Sequence, residues 1–264
     1  MIWTKEAEEA VLKAPFFVRR RVRMDVEKGA ARQGSAKVLL KHVMDCRKNF
    51  LSGKPMESKG FQIETCFGSS GCKNRANRSE ELAGNLEKTL LRRDIAAFLK
   101  ERTSGEMKIH HEFRICFSDC ANACSRPQIA DIGIIGAVLP GMVDTCCTGC
   151  STCLSTCAEG AIHTVPGSAV PVLDAGKCVR CGQCIETCPA GAIEVAEKGW
   201  RILAGGKLGR HPQLGHELEG IYSADEAQKM VERILDIYFA HNLSGERLGA
   251  ILQRIGYDRL ADLG

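Results

Sequence analysis

Twelve of the fifteen cysteines fall into three sets of four, and their spacing dictates which parts of the chain must meet in space. Cys147, Cys150, Cys153 and Cys157 make one C-x2-C-x2-C-x3-C run, and Cys178, Cys181, Cys184 and Cys188, followed by Pro189, make a second. The third set is divided, with Cys66-x5-Cys72 upstream and Cys120-x3-Cys124 far downstream. A chain of 264 residues can bury a core without disulfide staples. The N-terminus MIWTKEAEEAVLK is charged from its start and has no apolar signal core. A reducing, cytoplasmic setting is therefore expected, in which grouped thiols serve metal chemistry.

Other classes fall away on composition. The longest apolar stretch, Ile132 to Val143, is broken by glycines and a proline and falls short of the roughly 20 residues of a membrane helix. It reads as a buried strand and turn, and no membrane span is expected. A net charge of +4, from 36 basic against 32 acidic residues, and 5% aromatics give neither the basic field nor the stacking surface of a nucleic-acid binder.

Residues 3 to 33 read as a helix capped by Thr4, with Val18, Val22, Val26 and Ala30 in an i, i+4 stripe ending at Gly34. Gly60 to Cys66 alternates as a strand, Ser79 to Leu99 places Leu82, Leu86 and Leu90 on one helical face, and Ile109, His111, Phe113 and Ile115 alternate again. From Pro140 to Gly199 an internal repeat of offset 31 is marked by Cys157-Ala-Glu-Gly-Ala-Ile and Cys188-Pro-Ala-Gly-Ala-Ile. Trp200 to Pro212 is glycine-rich and basic. Ser223 and Glu226 form a capping box opening a helix through Phe239, and a short helix follows Ser244.

In each contiguous run the first three cysteines wrap three corners of a cubane, and the fourth ligates the other cluster. This assigns Cys147, Cys150, Cys153 and Cys188 to one [4Fe–4S] centre and Cys178, Cys181, Cys184 and Cys157 to another, the two-cluster ferredoxin pattern. Four-cysteine zinc sites share the C-x2-C step, but a doubled eight-cysteine run of this spacing favours clusters. Cys146 is a neighbouring thiol, and Cys46 and Cys116 are expected as buried thiols. The split set implies two separated loops closing on a third [4Fe–4S] centre. Spacing alone fits Cys116-x3-Cys120 as well as Cys120-x3-Cys124.

Glu64-Thr-Cys66-Phe-Gly-Ser-Ser-Gly-Cys72 and Cys120-Ala-Asn122-Ala-Cys124-Ser-Arg-Pro-Gln-Ile-Ala-Asp131-Ile-Gly133 resemble the two cysteine loops of the sirohaem-dependent sulfite and nitrite reductases. Gly205-Gly206-Lys207-Leu-Gly209-Arg210-His211-Pro212 and Gly245-Glu246-Arg247 resemble later segments of that family. The resemblance implies an α+β fold: a sulfite-reductase-type cluster and sirohaem domain over 56–140 and 200–264, with a bacterial-type ferredoxin domain inserted at 141–199. It also implies that Cys120 and Cys124 complete the third cluster, and that Cys124 bridges it to the sirohaem iron with Asn122 beside it. Sirohaem carries many carboxylates, so Lys73, Arg75, Arg78, Arg126, Lys207 and Arg210 are candidate partners, foremost the Lys207 and Arg210 loop. His211 reads as structural.

The first residues depart from the family. Trp3-Thr4-Lys-Glu-Ala7, Ala14-Pro15-Phe16-Phe17-Val18-Arg19 and Glu27 resemble the small helical domain of a light-independent protochlorophyllide reductase subunit, giving a third domain over 1–55. Arg19, Arg20, Arg21 and Arg23 form a basic patch that reads either as an anion grip over the tetrapyrrole or as an exposed face for an acidic electron-transfer partner. The expected activity is six-electron reduction of sulfite to sulfide, or of nitrite. Electrons from a ferredoxin-like donor or reductase subunit would enter at the inserted domain and leave at Cys124. A second copy or subunit would complete the pocket. Two other readings are a sirohaem-free electron-transfer subunit and a tetrapyrrole-binding factor.

Overall fold

The computed structural model describes residues 1–14, 16–51, 58–105, 107–168 and 170–261, which fall into two compact units, Met1–Glu57 and Ser58–Gly264. In the first unit β1 (Ile2–Trp3) leads into α1 (Lys5–Leu12) and α2 (Phe16–Arg32), then β2 (Lys37–Val38) and α3 (Leu40–Leu51). β1 and β2 pair in parallel. Ala7, Val11, Val26, Ala30, Val38 and Val43 form the core.

The single helix expected across residues 3 to 33 is two helices here. Ala14 precedes a proline, a position that disfavours helical geometry, and Lys13–Ala14 is a turn. Thr4 stands at the N-terminus of α1 without a side-chain capping bond. Trp3 Nε1 donates to Glu27 Oε1 at 2.7 Å, and the Arg23 guanidinium lies 4.6 Å above the Trp3 ring.

The second unit opens with β3 (Phe61–Thr65), α4 (Glu80–Arg92), α5 (Ile95–Arg102), β4 (Phe113–Ser118) and β5 (Ile132–Met142). The inserted segment follows, with α6 (Thr152–Thr156), β6 (Ile162–His163), β7 (Val172–Leu173) and α7 (Gln183–Thr187). The chain returns through β8 (Ile193–Ala204) and β9 (His216–Glu217) and ends in α8 (Ala224–His241), α9 (Leu248–Ile255) and α10 (Asp258–Ala261).

The main sheet has the order β3-β4-β5-β8-β9. β3, β4 and β5 run parallel, and β8 and β9 add antiparallel. One face carries Phe113, Ile115, Phe117, Ile132, Ile134 and Ile202 into a core shared with Leu82, Leu86 and Leu90 of α4 and with Val231, Ile234 and Leu235 of α8. Truncating a fully buried leucine such as Leu86 to alanine is expected to cost about 2–5 kcal/mol. The alternate positions Gln62, Glu64, Arg114 and Cys116 face the other way, as the period of two requires. Arg114 Nη2 donates to Glu64 Oε1 at 2.7 Å. The buried Cys116 thiol is pushed up to about 12, by burial first and by Glu64 second.

Three elements differ from their expected form. The Ser79–Leu99 helix is broken where Asp94 adopts φ 45°, so α4 and α5 are separate. The Ile109–His111 segment is a 3-10 turn, and its strand begins at Phe113. Of the glycine-rich, basic stretch from Trp200 to Pro212, the part from Trp200 to Ala204 is strand and continues β8. Ser223 and Glu226 do form the capping box of α8.

β5 and β8 pair along their whole length, from Ile132 with Ala204 to Met142 with Ile193, with a register shift between Leu139 and Pro140. Residues 143–192 thus leave and rejoin the sheet at paired positions. Inside the segment, Cys153, Ile162, Cys184 and Ile193 make a small core of their own. Among the described residues no helix is long and apolar enough to cross a membrane.

Candidate functional site

Parallel strands end at one edge of a sheet, the place where open α/β sheets carry their ligands. Cys66 follows the end of β3, Cys120 follows β4, and β5 delivers the inserted segment to the same edge. Cys66 Sγ accepts hydrogen bonds from Gly68 N at 3.4 Å and Asp119 N at 3.3 Å. Gly71, at φ 95°, turns the chain to Cys72. On the second loop Ala123, at φ 52°, makes the bend to Cys124, whose Sγ accepts from Asn122 Nδ2 at 3.0 Å. Cys120 is pushed up by burial first, and Cys72, Cys124 and Cys66 add to the shift. The four sulfurs therefore lie within electrostatic reach of one another, while Cys116 faces Glu64.

The inserted segment crosses its runs. Cys153 is pushed up by burial first, and Cys147 and Cys188 add to the shift. Cys184 rises to about 11 by burial, with Cys181, Cys178 and Cys157 contributing. Backbone donors repeat as the sequence repeats, with Ala161 N to Cys157 Sγ at 3.3 Å and Ala192 N to Cys188 Sγ at 3.2 Å. Such N–H···S bonds stabilise thiolates, which suits iron ligation. The thiols ring cavities: among the described residues no three His, Cys, Asp or Glu groups are placed to hold a single metal ion.

One cavity of about 250 Å³ is lined by Cys147, Cys150, Cys153 and Cys188. A second of about 250 Å³ is lined by Cys157, Cys178, Cys181 and Cys184 together with Cys120 and Asn122. One module set and the split set thus share a wall. The module is fastened there by a parallel bridge from Val138 to Cys181 and by Val138 N donating to Arg180 O at 2.8 Å. Gln183 Nε2 also donates to Asn74 Oδ1 at 3.4 Å. Arg201 grips Glu217 with two bonds of 2.6 Å and reaches Val179 O at 3.4 Å.

Beside Cys124 the chain turns through Arg126, at φ 60°, into a 3-10 turn at Pro127–Ile129. The Gly205 to Gln213 hairpin lies directly against it. Gly205 N donates to Asp131 O at 2.8 Å, and Gly215 N donates to Gln128 O at 2.7 Å. A Cβ on Gly206 would stand 2.4 Å from Gln128 O, so only glycine permits this approach. Lys207 Nζ donates to Gln253 Oε1 at 3.3 Å, and Arg210 and His211 are exposed near the hairpin tip. Lys73, Asn122, Cys124 and Arg126 are exposed as well. Exposed cations on Lys73, Arg126 and Arg210 have the chemistry that a carboxylate-rich macrocycle requires.

Some candidate cations are committed elsewhere. Arg75 bonds Asp119 Oδ2 at 2.7 Å and also pairs with Glu80, so it is part of the scaffold. In the first unit Arg19 Nε donates to Ala14 O at 2.8 Å, and Arg23 pairs with Glu8 at 3.5 Å. The side chains of Arg20 and Arg21 lie outside the described residues. Three supporting residues had no role assigned from the sequence. Asp131 is fully buried and accepts from Arg247 Nε at 2.8 Å, Leu248 N at 3.1 Å and Arg114 N at 2.9 Å. Gln213 ties the hairpin to Tyr257 Oη at 2.9 Å. Asp119, next to Cys120 at the end of an apolar strand, stands out only as a charge where an apolar run would be expected to continue.

The fold and loops have known counterparts. A coenzyme F420-dependent sulfite reductase of Methanocaldococcus jannaschii is 36% identical over 197 residues, which is 74% of this chain and 31% of that protein. The chain thus spans about a third of this relative. A crystal structure of dissimilatory sulfite reductase I superposes with a TM-score of 0.52 at 20% identity, covering 76% of this chain and 51% of the other. Residues 3–47 match the family model described as proto-chlorophyllide reductase 57 kD subunit. Residues 59–263, which include both halves of the split cysteine set, match that of the nitrite and sulphite reductase 4Fe-4S domain. With the cysteine loops, the Gly205–Gln213 hairpin and the Asp131–Arg247 pair all inside that span, the chain belongs to the nitrite and sulphite reductase 4Fe-4S domain family.

Proposed function

We propose that this chain is a sirohaem- and iron–sulfur-dependent sulfite reductase that takes sulfite to sulfide, with nitrite reduction as the equivalent six-electron chemistry. The observation that carries this reading is the shared wall, where Cys120 and Asn122 line one cavity with Cys157, Cys178, Cys181 and Cys184. An electron relay needs its centres close and held, and a catalytic terminus needs access. Cys147, Cys150, Cys153 and Cys188 would hold the outer [4Fe–4S] centre, on the side where Cys150 is exposed and a donor protein can approach. Cys157, Cys178, Cys181 and Cys184 would hold the second, and Cys66, Cys72, Cys120 and Cys124 the third. When bound, the clusters would supply electrons and sirohaem would supply the iron centre at which the oxyanion is reduced.

Cys124 would be the thiolate that serves both the third cluster and the haem. Asn122 Nδ2, donating to its sulfur, fixes the direction of that side chain. Lys207, Arg210, Arg126 and Lys73 would meet the macrocycle's carboxylates or the anionic substrate, where cations also favour loss of oxygen by accepting its developing charge. A second copy or another subunit would complete the pocket. Anaerobic purification, iron quantification and pigment extraction test the reading. The expected result is sirohaem in the extract and sulfite-dependent oxidation of a reduced dye. Iron without any extractable tetrapyrrole would overturn it in favour of an electron-transfer subunit, and retained tetrapyrrole without turnover would favour a tetrapyrrole-binding factor.

A further inference from the structure

Asp119 joins more of the split site than any cysteine does. Its backbone N donates to Cys66 Sγ at 3.3 Å, and its carbonyl accepts from both Ala76 N and Asn77 N at 2.9 Å. Its neighbour in sequence is Cys120. Two glycines make room for it: a Cβ on Gly68 would lie 2.2 Å from Asp119 Oδ2, and one on Gly136 would lie 2.4 Å from Asp119 O. The carboxylate is 2% exposed and pairs through Oδ2 with Arg75 Nε at 2.7 Å. Its other oxygen, Oδ1, is buried without a hydrogen-bond partner among the described residues. Arg75 is shared with Glu80, a carboxylate that faces solvent.

A buried carboxylate with one uncompensated oxygen is expensive to keep, and it acts at close range because little water screens it. The inserted module has no counterpart. Among the described residues, no charged side chain between 141 and 199 is buried.

We propose that the Arg75–Asp119 pair is a positioning clamp for the split-loop centre, holding the Cys66 and Cys120 loops in register and fixing a negative charge beside that centre. This rests on the reading that Cys66, Cys72, Cys120 and Cys124 hold a cluster. Net charge and hydrogen bonding around a cluster set its potential. Asp119 therefore lowers the potential of the split-loop centre most, and that of the centre at Cys157, Cys178, Cys181 and Cys184, across the shared wall, less; Arg75 opposes it in part.

The test is a potentiometric titration of the full chain followed by electron paramagnetic resonance, with iron quantified for each variant. Asp119→Asn keeps the shape and removes the charge, so the split-loop midpoint should rise most, while the midpoint of the outer module centre, at Cys147, Cys150, Cys153 and Cys188, stays at its wild-type value. Arg75→Gln should move the same midpoint downward, and Arg75→Lys should restore it. If Asp119→Asn loses iron at the split site, the Gln and Lys variants of Arg75 still decide the matter. Midpoints unmoved at full iron content, a shift common to all centres, or equal shifts in the two Arg75 variants would each overturn the proposal. A wild-type chain showing only the two module signals would overturn the cluster assignment first and the clamp with it.

Discussion

The inserted module and the split-loop site bring together the same residue chemistry, sets of four cysteines, by opposite means. In the module the cysteines come from two short runs, each with its own turn, backbone donor and helix. The halves match closely enough that Gly160 and Gly191 occupy equivalent left-handed turns at φ 60° and 64°, both with open space where a side chain would go. In the split site the two cysteine pairs lie on loops that follow different strands. Cys66 and Cys120 meet only because β3 and β4 are parallel neighbours, and the space between their loops is filled by Asp119, Arg75 and Gly68. A locally built site tolerates local change. A site built by the sheet depends on contacts far from its ligands.

That contrast can be broken most severely at Cys124. Cys124→Ser should abolish turnover and remove the split-loop signal while both module signals persist; turnover near the wild-type level would refute the assignment of this thiol. Gly68→Ala comes next, since its new methyl group would collide with the Asp119 carboxylate, a misfit costing about 1–3 kcal/mol. Iron loss should be confined to the split site. Gly160→Ala, carrying only the strain of a left-handed residue at about 1–3 kcal/mol with no collision, should keep full iron. Comparable iron loss in both would erase the distinction drawn here.

Two smaller effects sharpen it. Gly182, at φ 73°, lies so close to Val138 that a Cβ would stand 2.9 Å from the valine Cβ. Gly182→Ala should therefore loosen the module from β5, slowing reduction of the split-loop centre in stopped-flow experiments at unchanged iron content. Cys116→Ala should keep all iron and turnover, separating Cys120-x3-Cys124 from the alternative spacing. Because burial raises this thiol from 9.0 to about 12, the unfolded chain releases its proton first. The neutral buried thiol is then no handicap below pH 9.0, and stability falls as pH rises from there toward about 12. Denaturation at alkaline pH should show that loss in the parent and less of it in Cys116→Ala.

Much of this arrangement was visible in the residues themselves. The repeat of offset 31 marked the module, and the capping box at Ser223 and Glu226 marked α8. Other parts had no local signal. Asp94 breaks a helix without glycine or proline, because its side chain caps the next one by accepting from Ala97 N at 3.2 Å. β8 was obscured because one strand serves two regions, exposed where it returns from the insertion and buried at Trp200, Ile202 and Ala204. Gly199 inside that strand reads as a breaker until its closeness to Tyr222 O is known, 2.2 Å from where a Cβ would stand. Arg75 looked like one more ligand-binding cation, since sequence does not reveal which cations already have a buried partner.

The pairing of Met142 with Ile193 has a consequence for how such a chain can change over time. Everything between them is a hairpin loop in the topological sense, and lengthening a loop whose ends already meet adds little closure entropy. The module is therefore an exchangeable cassette: it can be lost, doubled or replaced without cutting any core strand, leaving β5 and β8 to close as an ordinary turn. A lineage could in this way exchange the whole cysteine-rich segment while the loops after β3 and β4 stayed as they were.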